Sequence, residues 1–384
     1  MKPNFITIII CILFISFTGT AFSQGCVAIR NMSCSGATMS GSNPSGLFDQ
    51  GQWQVSLGYR HFKSFRHFRG KHEEANRVEE GTEVINLFHS VDLGVTYGLS
   101  NRWTLSVTLP IVTNDRSSLY EHYGNSIETN PGRNRFHTYS AGIGDLRVAA
   151  NYWLFDPTTH HTGNIAVGLG IKAPTGKADV EDDFHKLDEN GSDYTIRQPV
   201  DQSIQLGDGG WGVNLEMQAF QALFHNTALY FNGFYMSNPR NVNNTLRRAN
   251  LDPSDPFNYF SVADQYAARL GLNYFPTSNL SLSFGGRIEG IPAHDIIGKE
   301  EGFRRPGYAI SIEPGISYIY NQFAFSLNVP IAVERDRIQN VQDIMTGRHG
   351  DAAFADYLIN AGIAYRFSKK KEAAFRSWED LNKD

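Results

Sequence analysis

The clearest pattern in the chain is a strict alternation of apolar and polar residues, best seen between Val91 and Ile111. A repeat of two predicts a β-strand with one apolar and one polar face. Residues 98–102 interrupt the alternation and predict the tight turn of a β-hairpin. Tyr97 and Trp103 flank this turn, where a strand that crosses a membrane meets the lipid headgroups and aromatic rings are favoured.

The same alternation recurs along the chain and predicts about twelve strands. The predicted strands are 53–60, 91–97, 103–111, 146–154, 165–171, 211–217, 228–236, 270–274, 280–288, 310–320, 323–331 and 359–367. Short turns near Asn101, Thr158, Asn226, Ser278 and Asn321 alternate with long polar loops, which include residues 62–82. Short periplasmic turns and long external loops are typical of outer-membrane barrels. A soluble β-sandwich can contain such a hairpin, but it has no reason to place every long loop at one end. We therefore predict an all-β fold, a transmembrane antiparallel up-and-down β-barrel of about 12 strands.

Composition fits this interpretation and excludes one class of partner. The chain has 384 residues, a formal net charge of −5 and 41% hydrophobic residues, values that suit a soluble protein or a barrel with half-polar strands. The 36 glycines and the aromatic content of 12% favour the barrel. Because there is no basic excess, we expect no nucleic-acid partner.

The first 23 residues have the pattern of a secretory signal peptide. Lys2 precedes an apolar run from Phe5 to Phe17, and Ala21 and Ser23 form a small-x-small cleavage site. The run is too short to span a bilayer comfortably as a helix. We expect cleavage near Ser23 and export of the chain.

The predicted domains are a signal peptide (1–23), an irregular N-terminal arm or hatch (24–50), an outer-membrane β-barrel (51–367) and a periplasmic C-terminal tail (368–384). The arm is rich in Gly, Ser and Asn and contains Cys26 and Cys34. In an oxidising compartment, such a close pair is expected to form a disulfide. Lipidation of Cys26, or two free thiols, is the alternative. The last predicted strand ends on an aromatic residue and resembles the terminal strand signal of outer-membrane barrels, which implies the barrel-assembly machinery as a partner.

The polar face of the predicted strands carries ten ionisable residues that we expect to face the lumen. They are Arg60, Asp92, Asp145, Arg147, Glu216, Arg269, Arg287, Glu289, Glu313 and Glu334. On a lipid face each would cost up to several kcal/mol at the bilayer midplane. In the lumen they either form a polar constriction or pair across strands and fill a small barrel.

Three further clusters suggest other chemistry. His61, His67 and His72 lie near cationic and phenylalanine residues in the predicted loop; this pattern suits lipopolysaccharide or a plain solvated loop. Residues 179–193 are acidic but lack the closing Glu of a calcium loop, so we predict no metal and no cofactor. No Ser–His arrangement indicates acyl transfer, so we predict no enzyme activity and no catalytic residue.

Three glycine-rich stretches resemble a known family: GIGDLRVAANYWL (142–154), KAPTGK (172–177) and GDGGWG (207–212). They are similar to motifs of outer-membrane proteins assigned to transport in the MetA pathway of phenol degradation. The resemblance spans residues 50–367 and brings no set of binding residues. It implies a barrel in the outer-membrane lipid that passes small apolar or amphipathic compounds, with the solute unknown. The alternative is a structural or adhesive barrel that acts through its external loops.

Overall fold

The computed structural model describes residues 24–25, 47–160, 162–224 and 226–367. Twelve antiparallel strands form a closed barrel, as the alternation predicts. They are β1 (Trp53–Arg69), β2 (Ile85–Gly98), β3 (Trp103–Ser118), β4 (Phe136–Ile143 with Leu146–Trp153), β5 (Gly163–Ala173), β6 (Gly212–Phe224), β7 (Thr227–Ser237), β8 (Gln265–Thr277), β9 (Leu280–Ile291), β10 (Gly307–Tyr320), β11 (Phe323–Asn328 with Ile331–Asp336) and β12 (Ala352–Phe367).

The barrel closes through pairing of its first and last strands. β1 pairs with β12 from Trp53 opposite Phe367 to Phe68 opposite Ala352. Each strand also pairs with its neighbours in sequence, so no long edge is left in the wall. A chain in lipid must satisfy its backbone groups internally, and this closure does so.

Alternate side chains face outwards along each strand and form an apolar belt. In β5, Ile165, Val167, Leu169 and Ile171 are exposed, whereas the residues between them are buried. Leu169, for example, is 58% exposed. A continuous row of exposed apolar side chains is favourable against lipid and unfavourable in water. The inner face is the polar one, which is the reverse of a soluble protein.

The short turns lie at the predicted positions and at one end of the barrel. Asn226 and Asn321 adopt positive φ of 54° and 53°, a conformation that Asn tolerates better than most residues. Next to another turn, the Trp103 and Tyr152 rings lie 4.7 Å apart. Aromatic rings at this level mark the headgroup region.

One predicted loop is wrong in its first part. The charges of residues 62–82 predict a loop, but β1 continues to Arg69. Phe62, Ser64 and Phe68 face inwards and are buried, whereas Lys63 is exposed. The strand rises beyond the apolar belt, so its outer face no longer needs apolar residues. His61 and His67 therefore lie in a strand.

The long loops carry short elements of their own. They are the hairpin Glu181–Leu187 with Asp193–Pro199, the strand pair Val242–Leu246 with Tyr259–Ser261, the two-residue strand His72–Glu73, the helices α1 (Asn76–Glu79) and α2 (Val341–Thr346), and the 3₁₀ turns Gln202–Ile204 and Pro256–Asn258. Within the described ranges, no helix is long and apolar enough to cross a membrane. The signal peptide, Cys26, Cys34 and the C-terminal tail lie outside the described residues and stay predictions.

The belt predicts a strong penalty for charge at Leu169. We expect Leu169→Arg to lower the free energy of unfolding of the barrel in liposomes by about 2–4 kcal/mol, because a cation is unfavourable near the bilayer midplane. Urea titration of the refolded barrel measures this. Ile127, which is 62% exposed in a long loop, provides the control Ile127→Arg. Equal stability of the two variants would contradict a lipid-facing Leu169.

Candidate functional site

The barrel lumen is crossed by residues 200–208, here called the inward segment, which belongs to the long loop between β5 and β6. Val200 is completely buried and Ile204 is 1% exposed, although neither lies in the barrel wall. Leu206 joins a buried apolar cluster with Phe62 and Val112 on the inner faces of β1 and β3. An external loop therefore folds into the barrel and occupies its interior.

Polar side chains of the wall hold the backbone of the inward segment. The Ile204 carbonyl accepts hydrogen bonds from the Ser140 hydroxyl and, at 3.2 Å, from Asn114 Nδ2. Within the same loop, the Gln205 side chain accepts a hydrogen bond from the Val180 N–H at 2.8 Å and donates one to the Val180 carbonyl at 3.1 Å. A buried loop needs such partners because its backbone groups have lost water.

The three glycine-rich stretches of the sequence meet where the inward segment leaves the wall. Asp145, in the gap between the two halves of β4, accepts hydrogen bonds from the Gly176 N–H at 2.9 Å and the Asp208 N–H at 3.3 Å. Lys172 pairs with Asp208. A Cβ on Gly207 would lie 2.5 Å from the Gly176 carbonyl and 2.6 Å from Asp145 Oδ1, so only glycine fits there. We call these five residues the latch.

The other end of the inward segment is held by a shared carboxylate. Asp201 accepts hydrogen bonds from both Nη atoms of Arg305, at 2.9 and 2.7 Å, and lies 3.6 Å from Arg116. Burial alone would raise the pKa of Asp201, but Arg116 and Arg305 outweigh it and hold the pKa well below its usual range. Asp201 stays ionised and bridges the loop, the wall and a second loop.

Seven of the ten ionisable residues predicted for the lumen pair with one another. One chain of contacts runs from Arg60 through Glu289, Arg287 and Glu313 to Arg269, and a second joins Arg147 to Glu216. Their side chains are between 0% and 13% exposed. Asp92 accepts a hydrogen bond from Ser90 at 2.7 Å, and Asp145 belongs to the latch. Arg60 lies on β1 and Glu289 on β9, and these strands are not neighbours in the sheet, so this ion pair crosses the lumen.

Glu334 differs from the other nine. Its side chain is 39% exposed and contacts Lys71 and Tyr308, both at 2.7 Å. A register shift between β10 and β11 adds a residue next to it, so that Arg335 is the buried position instead. Alternation alone does not reveal such a bulge.

A cavity of about 700 Å³ lies among the long loops, above the inward segment. We call it the outer cavity. Phe184, Phe260 and Phe303 line it together with several arginines and Asp201. A smaller cavity of about 70 Å³ adjoins it, and the inward segment from Gln202 to Asp208 lines this second space. The inward segment therefore borders both cavities, with Asp201 lining the outer cavity and residues from Gln202 to Asp208 lining the smaller one.

The described ends of the N-terminal arm lie near opposite ends of β12. Gln24 and Gly25 pair with Ala355 and Phe354 of β12. In this part of the sheet, the second half of β11 forms a single pair with β12, Ile331 opposite Tyr357. At the other end, the buried Arg366 donates to the Leu47 carbonyl at 3.0 Å and lies 4.1 Å from the Phe48 ring centroid.

The inward segment was not predicted from the strand pattern, although one signal was present. Val200, Ile204 and Leu206 fit a period of two, with the polar residues Asp201, Ser203 and Gln205 between them, but the run is short and lies in a predicted loop. The resemblance motifs predict glycine-dependent turns, but not that their residues contact one another.

Comparison with solved structures supports the fold. The COG4313 outer membrane channel from Pseudomonas putida F1 matches with a TM-score of 0.53 and 14% identity, over 83% of this chain and 97% of that chain. The CymD monoaromatic hydrocarbon channel matches with a TM-score of 0.43 and 12% identity, over 91% and 98%. The Ralstonia pickettii toluene transporter TbuX matches with 0.40 and 10%, over 84% and 91%.

The chain has the fold of a bacterial outer-membrane β-barrel, which confirms the fold that the sequence resemblance implied. No family model matches the chain. No curated protein sequence matches it either.

The crowding at Gly207 predicts that a single methyl group loosens the inward segment. We expect Gly207→Ala to raise single-channel ion conductance in planar bilayers and to cost about 1–3 kcal/mol of stability through overpacking. A Cβ on Gly286, in β9, would meet no atom within 4 Å, so Gly286→Ala is the matched control and keeps wild-type conductance. Unchanged conductance in Gly207→Ala would refute the latch.

Asp201→Asn should release the other end of the inward segment. The change leaves two buried guanidinium groups without their shared carboxylate, a loss of about 3–5 kcal/mol for a buried pair. We expect faster hydrogen exchange of the amides in 200–208, measured by mass spectrometry. Asp179, in the same loop and with a side chain 67% exposed, provides the control Asp179→Asn. Equal exchange in both variants would show that Asp201 does not hold the segment.

Proposed function

We propose that this chain is an outer-membrane channel for passive transport of small apolar or amphipathic compounds. The observation that carries the proposal is the outer cavity of about 700 Å³, which lies among the external loops and reaches the inward segment at Asp201. A volume of this size suits a small organic molecule. Because the inward segment is held by hydrogen bonds and ion pairs and not by strand pairing, it can move without opening the sheet of the barrel.

The mixed lining of the outer cavity supports the proposed class of solute. Phe184, Phe260 and Phe303 offer apolar contact, while charged groups lie beside them. An open pore for sugars or ions would instead need a continuous water-filled path through the barrel. The inward segment lies in the way of such a path. The similarity of fold to a solved outer membrane channel supports the proposed role as a channel.

We further propose that the N-terminal arm lies along the lumen as a hatch. The β12 residues that its ends contact, Ala355 and Arg366, are about 36 Å apart at the usual rise per residue. Residues 26–46 between them can extend to about 70 Å, so the arm is long enough to run the length of the barrel. Lipopolysaccharide and the barrel-assembly machinery stay predictions as partners.

Uptake of radiolabelled toluene by cells tests the proposal. Intact cells are needed because an apolar solute crosses a plain liposome unaided, whereas a lipopolysaccharide layer slows it. We expect cells that make this protein to take up toluene faster than cells that do not. Deletion of residues 25–45 should raise the rate further, because the hatch is removed.

The control is Gly286→Ala, which leaves both the latch and the arm intact and should match the wild type. If neither the intact nor the arm-deleted barrel raises uptake above the host, transport is wrong. A structural or adhesive barrel acting through its loops would then take its place.

A further inference from the structure

The outer cavity carries far more positive charge than the chain as a whole. Eight Lys or Arg side chains and four carboxylates line it, an excess of four positive charges, although the whole chain has a net charge of −5. All four carboxylates are already used. Glu121 and Asp201 pair with Arg116, Asp343 with Arg337, and Asp351 with Arg77.

Four cations remain without a carboxylate partner among the described residues: Lys186, Arg247, Arg248 and Arg348. Lys186 donates to the carbonyl oxygens of Glu121 and His122, at 2.8 and 2.9 Å, and has one N–H to spare. The Nε of Arg247 is buried and has no hydrogen-bond partner. Buried donors without partners are costly, and a ligand is one way to satisfy them.

Lys186, Arg247 and Arg248 lie close enough for their charges to interact, and Arg247 lies next to an aromatic ring. The guanidinium groups of Arg247 and Arg305 both lie over the Phe303 ring, at 5.0 and 4.7 Å from its centroid. Burial lowers the pKa of Lys186, and the nearby charge of Arg248 lowers it further. An anion placed here would relieve this repulsion between like charges.

We propose that the outer cavity binds organic monoanions that combine a carboxylate with an aromatic or aliphatic body. Arg247, Arg248 and Lys186 hold the carboxylate, and Phe303 with Phe184 contacts the body. This rests on the proposed function as a channel for amphipathic compounds and specifies the charge of the solutes. A neutral hydrocarbon uses only the phenylalanines and leaves the cations unpaired. Inorganic phosphate uses only the cations.

Binding to the full barrel in lipid nanodiscs tests this, with benzoate, toluene and inorganic phosphate as probes. Isothermal titration calorimetry should show benzoate binding more tightly than either of the other two. Arg247→Gln should weaken benzoate by about tenfold, the effect of losing one charged hydrogen bond, and should change toluene binding by less than about twofold. Phe303→Leu should weaken benzoate and leave phosphate unchanged.

Arg197 is the matched control for Arg247. It lies in the loop hairpin next to Ile196 and Gln198, which line the outer cavity, but it does not line the cavity itself, and its side chain is 61% exposed. Arg197→Gln should keep wild-type affinity for benzoate. Failure of wild-type protein to bind benzoate, equal affinity for phosphate and benzoate, or equal affinity of Arg247→Gln and wild type would each overturn the proposal.

The assay separates this inference from the proposed function because it measures binding without flux. A barrel that binds benzoate but carries no solute would refute transport and leave the anion site standing. A barrel that transports toluene but does not bind benzoate would refute the anion site and leave the proposed transport standing.

Discussion

Closure of the sheet is the constraint on which the rest of this structure depends. In lipid each unpaired backbone group costs several kcal/mol, so β1 must pair with β12 and every strand with its neighbours. Closure fixes an outward and an inward face for every residue of the wall. It therefore explains why apolar residues such as Leu169 are exposed and why charged residues such as Arg287 are buried.

The charged residues of the inner face are removed from water, and this removal costs free energy. Burial penalises an isolated ion by several kcal/mol, and the chain from Arg60 to Arg269 offsets this by pairing opposite charges across strands. The remaining space is filled by an external loop, held by the latch at one end and by Asp201 at the other. The lumen is thus a packed interior, and the outer cavity lies among the loops next to it. This cavity carries an excess of positive charge.

The wall could be predicted from sequence because the alternation of apolar and polar residues depends only on which side of the sheet each residue faces. This predicted twelve strands and the short turns. Alternation fails where geometry is not periodic, as at Glu334, where a bulge moves the buried position to Arg335. The candidate site could not be predicted, since Asp145, Gly207 and Asp201 come together only through tertiary contacts between distant segments.

The claim that an external loop folds into the barrel is tested most directly by cysteine accessibility in intact cells. Ile204 is 1% exposed in the inward segment, whereas Tyr194, in the hairpin of the same loop, is 45% exposed. A membrane-impermeant maleimide should label Tyr194→Cys rapidly and Ile204→Cys at least about tenfold more slowly, as expected for a site that opens only locally. Equal labelling rates at the two positions would place residue 204 outside the barrel and contradict the account.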